Sequence, residues 1–241
     1  MRAEQFLKEG KLEDALQALS AELRDNPSDS KRRTFLFELL CFAGDYARAE
    51  KQLEILSHGS PASDMGALFY RGALHAQTTR EELFRKREYP KAASGSDTPR
   101  SISGSLNGSP FQSLSDADPR IGANLELFAA GNYLWIPFHL LASIEIEAPR
   151  RLRDLLWIPA RVRTAPAFQG KELGEALLPA LEPFSGQHPD DSVRLGRMTD
   201  WQEDEDGGQI PVGQKMLLVD GEEFPFLELR KLEFAAAQAA G

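Results

Sequence analysis

Four pairs of residues in the first third of the chain stand 34 positions apart: Gly10 and Gly44, Ala15 and Ala49, Leu19 and Leu53, Pro27 and Pro61. A period of that length corresponds to one helix-turn-helix unit, and the residue types suit their places in it. Glycine serves the turn, a small alanine lets two helices approach closely, and proline follows the second helix. Tyr46, two residues after Gly44, fits the pattern, whereas Leu12 stands at that place in the first copy. The spacing predicts helices near 2–9, 11–25, 29–43, 45–57 and 62–87. The last, carrying Leu68, Phe69, Gly72, Leu74, His75 and Leu83, would cap the stack. Two copies cannot bury both of their faces alone, so they need this capping helix and a second domain.

The period is that of tetratricopeptide repeats, whose function usually lies in a concave groove that takes a partner's helix or extended peptide. Phe6, Phe35, Phe37, Phe42 and Tyr46 at helical spacing read first as packing residues. Phe6, Phe35 and Tyr46 are also candidates to contact a partner. His58 and His75 are lone histidines without a second ligand at metal spacing. Cys41, in the run Phe35-Leu36-Phe37-Glu38-Leu39-Leu40-Cys41-Phe42, has no cysteine to pair with and reads as a buried thiol.

Residues 91–119 change character. The run from Lys91 to Pro110 is rich in Gly, Ser and Pro and has no apolar period, which predicts a flexible linker or loop. The expected organisation is a helical repeat domain over 1–90, a linker over 91–115 and a second domain over 116–241. That second domain reads as compact and mostly β. Leu125-Glu126-Leu127-Phe128 and Tyr133-Leu134-Trp135-Ile136-Pro137 flank a hairpin signal at Ala129-Ala130-Gly131-Asn132. Ile144 to Glu147 alternates, and Ile158, Ala160 and Val162 oppose Arg161 and Arg163. Met216-Leu217-Leu218-Val219 leads through Asp220-Gly221 into Phe224 to Leu229, the strongest hairpin signal of the chain. Leu140–Ser143, Pro149–Leu156 and Lys171–Leu181 suggest short helices or turns. The fold class expected is α+β in two parts, with tetratricopeptide-like helices followed by a small mixed sheet with short helical connections.

Charge narrows the partners. The 241 residues carry a net charge of −9 with 41% apolar and 27% charged side chains. Residues 1–90 hold 14 basic and 15 acidic side chains and residues 121–241 hold 11 and 19, so the acidity belongs to the second half. Such a surface repels phosphate backbones and acidic headgroups, which argues against nucleic acid and membrane partners and leaves room for a basic one. Glu203-Asp204-Glu205-Asp206-Gly207-Gly208 reads as a solvated loop tip. No window is long and apolar enough to span a membrane, and Met1 to Gln5 already reads as an amphipathic helix, so the expected location is the cytoplasm.

Catalytic signatures are missing from the sequence: no phosphate loop, no Gly-x-Gly-x-x-Gly, no nucleophile elbow with its triad and no Cys/His cluster. Asp116 and Asp118, two apart, would point the same way on an extended segment and could bind a cation or share a proton. They can equally cap the turn into the domain, with Arg120 pairing either. Arg153 and Asp154, beside Trp157, read as a hydrogen-bonded pair that fixes the fold. The expectation is a protein that is no enzyme and carries no cofactor. Trp135 and Trp157 have strand settings that suit core packing, while Trp201, next to the acidic loop, is the tryptophan expected to meet a partner.

Three specific blocks stand in one order: Asp116-x-Asp118-x-Arg120, Trp135-Ile136-Pro137-Phe138, and Arg153-Asp154-Leu155-Leu156-Trp157-Ile158-Pro159. They are followed by Arg194-Leu195-Gly196-Arg197-Met198-Thr199-Asp200-Trp201. The set resembles the ImpE family, also called TagJ, accessory proteins of bacterial type VI secretion. The resemblance implies a non-enzymatic adaptor that binds the small sheath subunit (TssB-like) and is associated with the ClpV ATPase. It departs from the usual members in lacking further helices between the repeats and Asp116. The residues alone leave open a general scaffold with other partners, or a hydrolase whose site carries no recognisable motif.

Overall fold

The structure, a computed structural model, describes residues 2–58, 61–90, 102–168, 173 and 175–235. Five helices come first: α1 (Arg2–Lys8), α2 (Leu12–Asp25), α3 (Ser30–Phe42), α4 (Tyr46–Ser57) and α5 (Pro61–Lys86). Each packs on the next. The repeated residues take the places their chemistry predicts. Gly10 and Gly44 turn the chain at φ 79° and 69°, a region that glycine enters without steric cost. Ala15 and Ala49 are fully buried where helices meet, and Leu19 and Leu53 lie beside them in the core. Asp29 and Asp45 cap α3 and α4, their carboxylates accepting from the backbone N–H of Arg32 and Arg48. Cys41 is buried.

The second part is built of short strands: β1 (Gly104–Leu106), β2 (Ser109–Phe111), β3 (Leu114–Asp116), β4 (Asn124–Ala129), β5 (Asn132–Pro137), β6 (Leu141–Ile146), β7 (Trp157–Thr164) and β8 (Glu175–Pro179). After a one-turn helix, α6 (Asp191–Arg194), come β9 (Thr199–Glu203), β10 (Gln209–Gly213), β11 (Met216–Val219), β12 (Glu222–Pro225) and β13 (Lys231–Phe234). One eight-stranded sheet runs β2-β1-β13-β6-β7-β8-β4-β5, beside a β12-β11-β3 sheet and the β9–β10 hairpin. Every strand pairing among the described residues is antiparallel, so the sheet is neither small nor mixed as expected.

The large sheet has two buried faces. Leu125, Leu127, Ile158 and Leu178 join one apolar core with Phe111, Phe138 and Leu232. Phe128, Tyr133, Trp135, Trp157 and Leu177 belong to the same core as the helices. The alternation of the strands therefore welds the two parts through a shared core.

Several expectations need correction. Residues 102–115, read as linker, hold β1, β2 and the start of β3; residues 91–101 lie outside the described residues. Gly104 is a packing glycine, since a Cβ there would sit 2.0 Å from the carbonyl oxygen of Glu233 on β13. The helix expected over Lys171–Leu181 is replaced from Glu175 by strand β8, whose Ala176, Leu177 and Leu178 are all buried between β7 and β4. Leu141 to Ser143 belong to β6, and the hairpin arm expected to run to Leu229 ends at Pro225 in a 3₁₀ turn.

Candidate functional site

Asp116 of the first motif block enters a buried ionic junction between α5 and the sheet. Arg80 on α5 grips Glu126 on β4 with Nε to Oε1 at 2.8 Å and Nη2 to Oε2 at 2.7 Å, and its Nη1 donates to the Leu181 carbonyl at 3.0 Å. Lys215 Nζ lies 2.6 Å from Asp116 Oδ2, 2.8 Å from Glu126 Oε2 and 3.4 Å from Glu182 Oε2. Trp135 donates its indole N–H to the Tyr133 hydroxyl, which donates to Glu126. Asp118 is bridged by Arg120 through Nε at 2.9 Å and Nη2 at 2.6 Å, and the Arg120 guanidinium lies 4.9 Å from the Phe84 ring. Asp116 accepts the Asp118 N–H at 3.0 Å and so shapes the turn as well.

Burial and pairing divide these carboxylates. Burial alone would raise Glu126, but Arg80 and Lys215 outweigh it and hold the carboxyl well below its usual range. Asp116 is pushed up to about 6 by burial against the pull of Lys215, and burial lifts Glu182 well above the ordinary glutamate value. Lys215 stays charged despite its burial because Asp116, Glu126 and Glu182 surround it. The partners of this network are internal, so its chemistry is to join α5 to the sheet. No group of His, Cys, Asp and Glu able to hold a metal ion is found among the described residues.

A second chain of hydrogen bonds crosses the same junction. Trp157 donates to Gln77 Oε1 at 3.2 Å, Gln77 donates to Glu81 at 3.2 Å, and Tyr46 donates to Glu81 at 2.5 Å. Arg153 and Asp154 do not pair with each other as expected. Asp154 accepts the backbone N–H groups of Arg150 and Arg151, both at 2.9 Å. Arg153 lies 4.7 Å from the Tyr70 ring and 3.7 Å from Glu38 on α3. Side chains on α3 and α5 thus drew Arg153 away, while the local backbone just before it took up Asp154.

The last motif block reads the turns between helices. Asp191 accepts the N–H of Leu12 at 2.7 Å, capping α2 from the far end of the sequence, and Arg194 holds Asp191 at 2.8 Å. Arg197 donates to the carbonyls of Leu7 at 2.5 Å and Lys8 at 3.2 Å at the end of α1. An anion at a helix start and a cation at a helix end both suit the helix dipole.

The surface offers a trench. Met65, Leu68 and Phe69 on α5 are 73%, 68% and 44% exposed. At i, i+3 and i+4 they form one apolar stripe. A hollow of about 460 Å³ lies under Leu68, Phe69, Gly72, His75, Phe128 and Leu177. It meets, at Phe69 and Leu177, a groove of about 990 Å³ over β6 and β7 that includes Pro159, Arg161 and Lys231. Of the candidate contact residues, Phe6 and Phe35 are half-buried against the helical core, and Tyr46 faces α5 through its hydroxyl. Trp201 is 36% exposed, against 8% for Trp135 and 2% for Trp157. Pro137 closes β5 in the core, while Pro159 is exposed in β7 at the trench. The acidic loop is more than a solvated tip, because Arg87 after α5 reaches Asp204, Glu205 and Asp206 at 3.2, 3.2 and 2.6 Å. The stripe and the ionic junction escaped sequence reasoning; the signal for the junction was a lone charge in or beside an apolar run, Glu126 among Leu125, Leu127 and Phe128, and Lys215 just before Met216 to Val219.

No helix among the described residues is long and apolar enough to cross a membrane. The chain is similar over nearly its whole length to known proteins. It is 34% identical to the type VI secretion system accessory component TagJ of Pseudomonas aeruginosa, with 99% of this chain and 93% of that protein aligned. The crystal structure of a Vibrio parahaemolyticus protein shares the fold at a TM-score of 0.86 and 24% identity, over 98% of each chain. The family model described as ImpE protein matches residues 108–233, from β2 to β13. The chain belongs to the ImpE family.

Proposed function

We propose that this chain is a non-enzymatic accessory protein of a bacterial type VI secretion system, working in the cytoplasm as an adaptor that binds the small sheath subunit and links it to the ClpV ATPase. The family membership and the P. aeruginosa relative support the secretion context. The observation that carries the adaptor reading is the apolar stripe of Met65, Leu68 and Phe69 beside the trench. Exposed apolar surface of this kind, rimmed by charge, suits the apolar face of an amphipathic helix. Helices α1 to α4 serve as two tetratricopeptide-like pairs with α5 as cap, so the trench lies where the cap meets the sheet.

Calorimetric titration with peptides from the N-terminal region of the small sheath subunit of the same bacterium tests the proposal. Saturable binding at micromolar concentration or tighter is expected, and Leu68→Asp with Phe69→Asp abolishes it while circular dichroism stays unchanged. A folded protein that binds no such peptide overturns the sheath-adaptor reading in favour of a scaffold with other partners.

A further inference from the structure

The β9–β10 hairpin presents a second surface, remote from the trench. It sits against the C-terminal end of α5 through Arg87, whereas the trench lies by Phe69. From Phe69 to the end of α5 at Lys86 the helix rises 17 residues at 1.5 Å each, which separates the two by about 26 Å.

Trp201 stands in the middle of β9 opposite Pro211 and leaves more than a third of its surface in water. Met198, just before the strand, is 46% exposed. Side chains two apart on a strand share a face, so Glu203 stands on the side of the hairpin that carries Trp201. The adjoining loop holds Asp204, Glu205 and Asp206, and the last two side chains are 87% and 76% exposed. Arg87 is the cation paired to all three, and it cannot neutralise them.

We propose that this hairpin docks a lysine- and arginine-rich segment of a protein partner, seated on Trp201. An indole face attracts a cation through its quadrupole, and carboxylates around it favour the same charge. The two features together select a basic segment over the alternatives: an apolar partner would strand the carboxylates without water, and an acidic one would be repelled. The long aliphatic stems of lysine and arginine also match the apolar surface of Trp201. Trp135 and Trp157 are buried in the core, so Trp201 is the indole of the three that is open to such a contact. The proposal holds whatever protein occupies the trench.

The test is titration of the whole chain with a short peptide of alternating lysine and alanine, with a glutamate-alanine peptide as control, at low and at physiological salt. Saturable binding of the lysine peptide alone is expected, with Trp201 emission changing on binding. Trp201→Ala and, separately, Glu203→Lys with Glu205→Lys lower the affinity about tenfold or more. Glu222→Lys with Glu223→Lys changes the net charge equally on the exposed β12 hairpin and leaves the affinity within about twofold. Absence of saturable binding overturns the proposal. So does an equal loss in the β12 variant, which would mean general attraction to an acidic protein.

Discussion

Arg80 on α5 and Glu126 on β4 form a two-pronged ion pair whose side chains are 1% and 0% exposed. It is one of the points at which the helical part and the second part are held by charge as well as by shared apolar packing, and the most deeply buried of them. Taking both ions from water is costly, and the pairing offsets that cost only while the geometry is complete. Arg80→Met would leave Glu126 with Lys215 as its one remaining cation and the Leu181 carbonyl without its donor. A loss of about 3–5 kcal/mol is expected, read from the midpoint of urea unfolding. Arg80→Met with Glu126→Gln should recover part of it, because the uncompensated charge is then gone. A double variant no better than the single one would assign the loss to packing.

Glu38 supplies a pH dependence. Burial on α3 lifts its carboxyl from 4.5 to about 7, against the opposing pull of Arg153. The folded state then binds more protons than the unfolded state between those values, so stability falls as pH rises from about 4.5 through 7. Glu182 and Asp116, both raised by burial, add slopes of the same sign, whereas Glu126 is lowered and destabilises the fold only under acid conditions. Glu38→Gln should make the stability between pH 5 and 8 less steep without abolishing its slope. Denaturant midpoints at each pH measure it, and an unchanged slope would mean that Glu38 titrates normally.

The Asp191 cap gives a smaller effect of another kind. Its carboxylate accepts the N–H of Leu12 at 2.7 Å across the interface between the two parts. Asp191→Ala should cost about 1 kcal/mol, the usual worth of a helix cap. Asp191→Asn, which keeps an acceptor oxygen, should lose about half as much or less. Thermal unfolding of the two variants separates the hydrogen bond from the charge.

How much of this was legible depended on whether the deciding neighbour was close in sequence. The five helices were readable to within a residue or two, because Gly10, Gly44 and the capping aspartates act locally. The turns at Ala130-Gly131 and Asp220-Gly221 were readable for the same reason, each pair holding positive φ. Strand β1 was not: Gly104 looks like a linker glycine until β13, 127 residues later, is seen beside it at Glu233. Strand β8 was not, because a run buried on both faces has no alternation to distinguish it from a helix. In the site, Arg120 was expected to pair with Asp116 or Asp118 and takes its neighbour Asp118, while the partners of Asp116, Arg153 and Trp157 are Lys215, Glu38 and Gln77, from distant segments.

The repeat itself carries a last consequence. Segment 186–197 crosses both inter-helix turns that the 34-residue period creates, with Arg197 at the Gly10 turn and Gly186 at the Gly44 turn. A Cβ on Gly186 would stand 2.6 Å from the Gly44 nitrogen and 2.9 Å from the Phe42 carbonyl oxygen, both backbone atoms. Neither can rotate away, so Gly186→Ala must push the α3–α4 turn off the second part of the chain. A loss of about 1–3 kcal/mol is expected for such overpacking. Gly208→Ala, in open space on the β9–β10 loop, is the matched control and should be nearly silent. If the contact also fixes how the helices sit on the sheet, hydrogen exchange in α3 and α4 should quicken in Gly186→Ala while α1 keeps its protection. Uniform quickening would instead mean that the variant lost global stability alone.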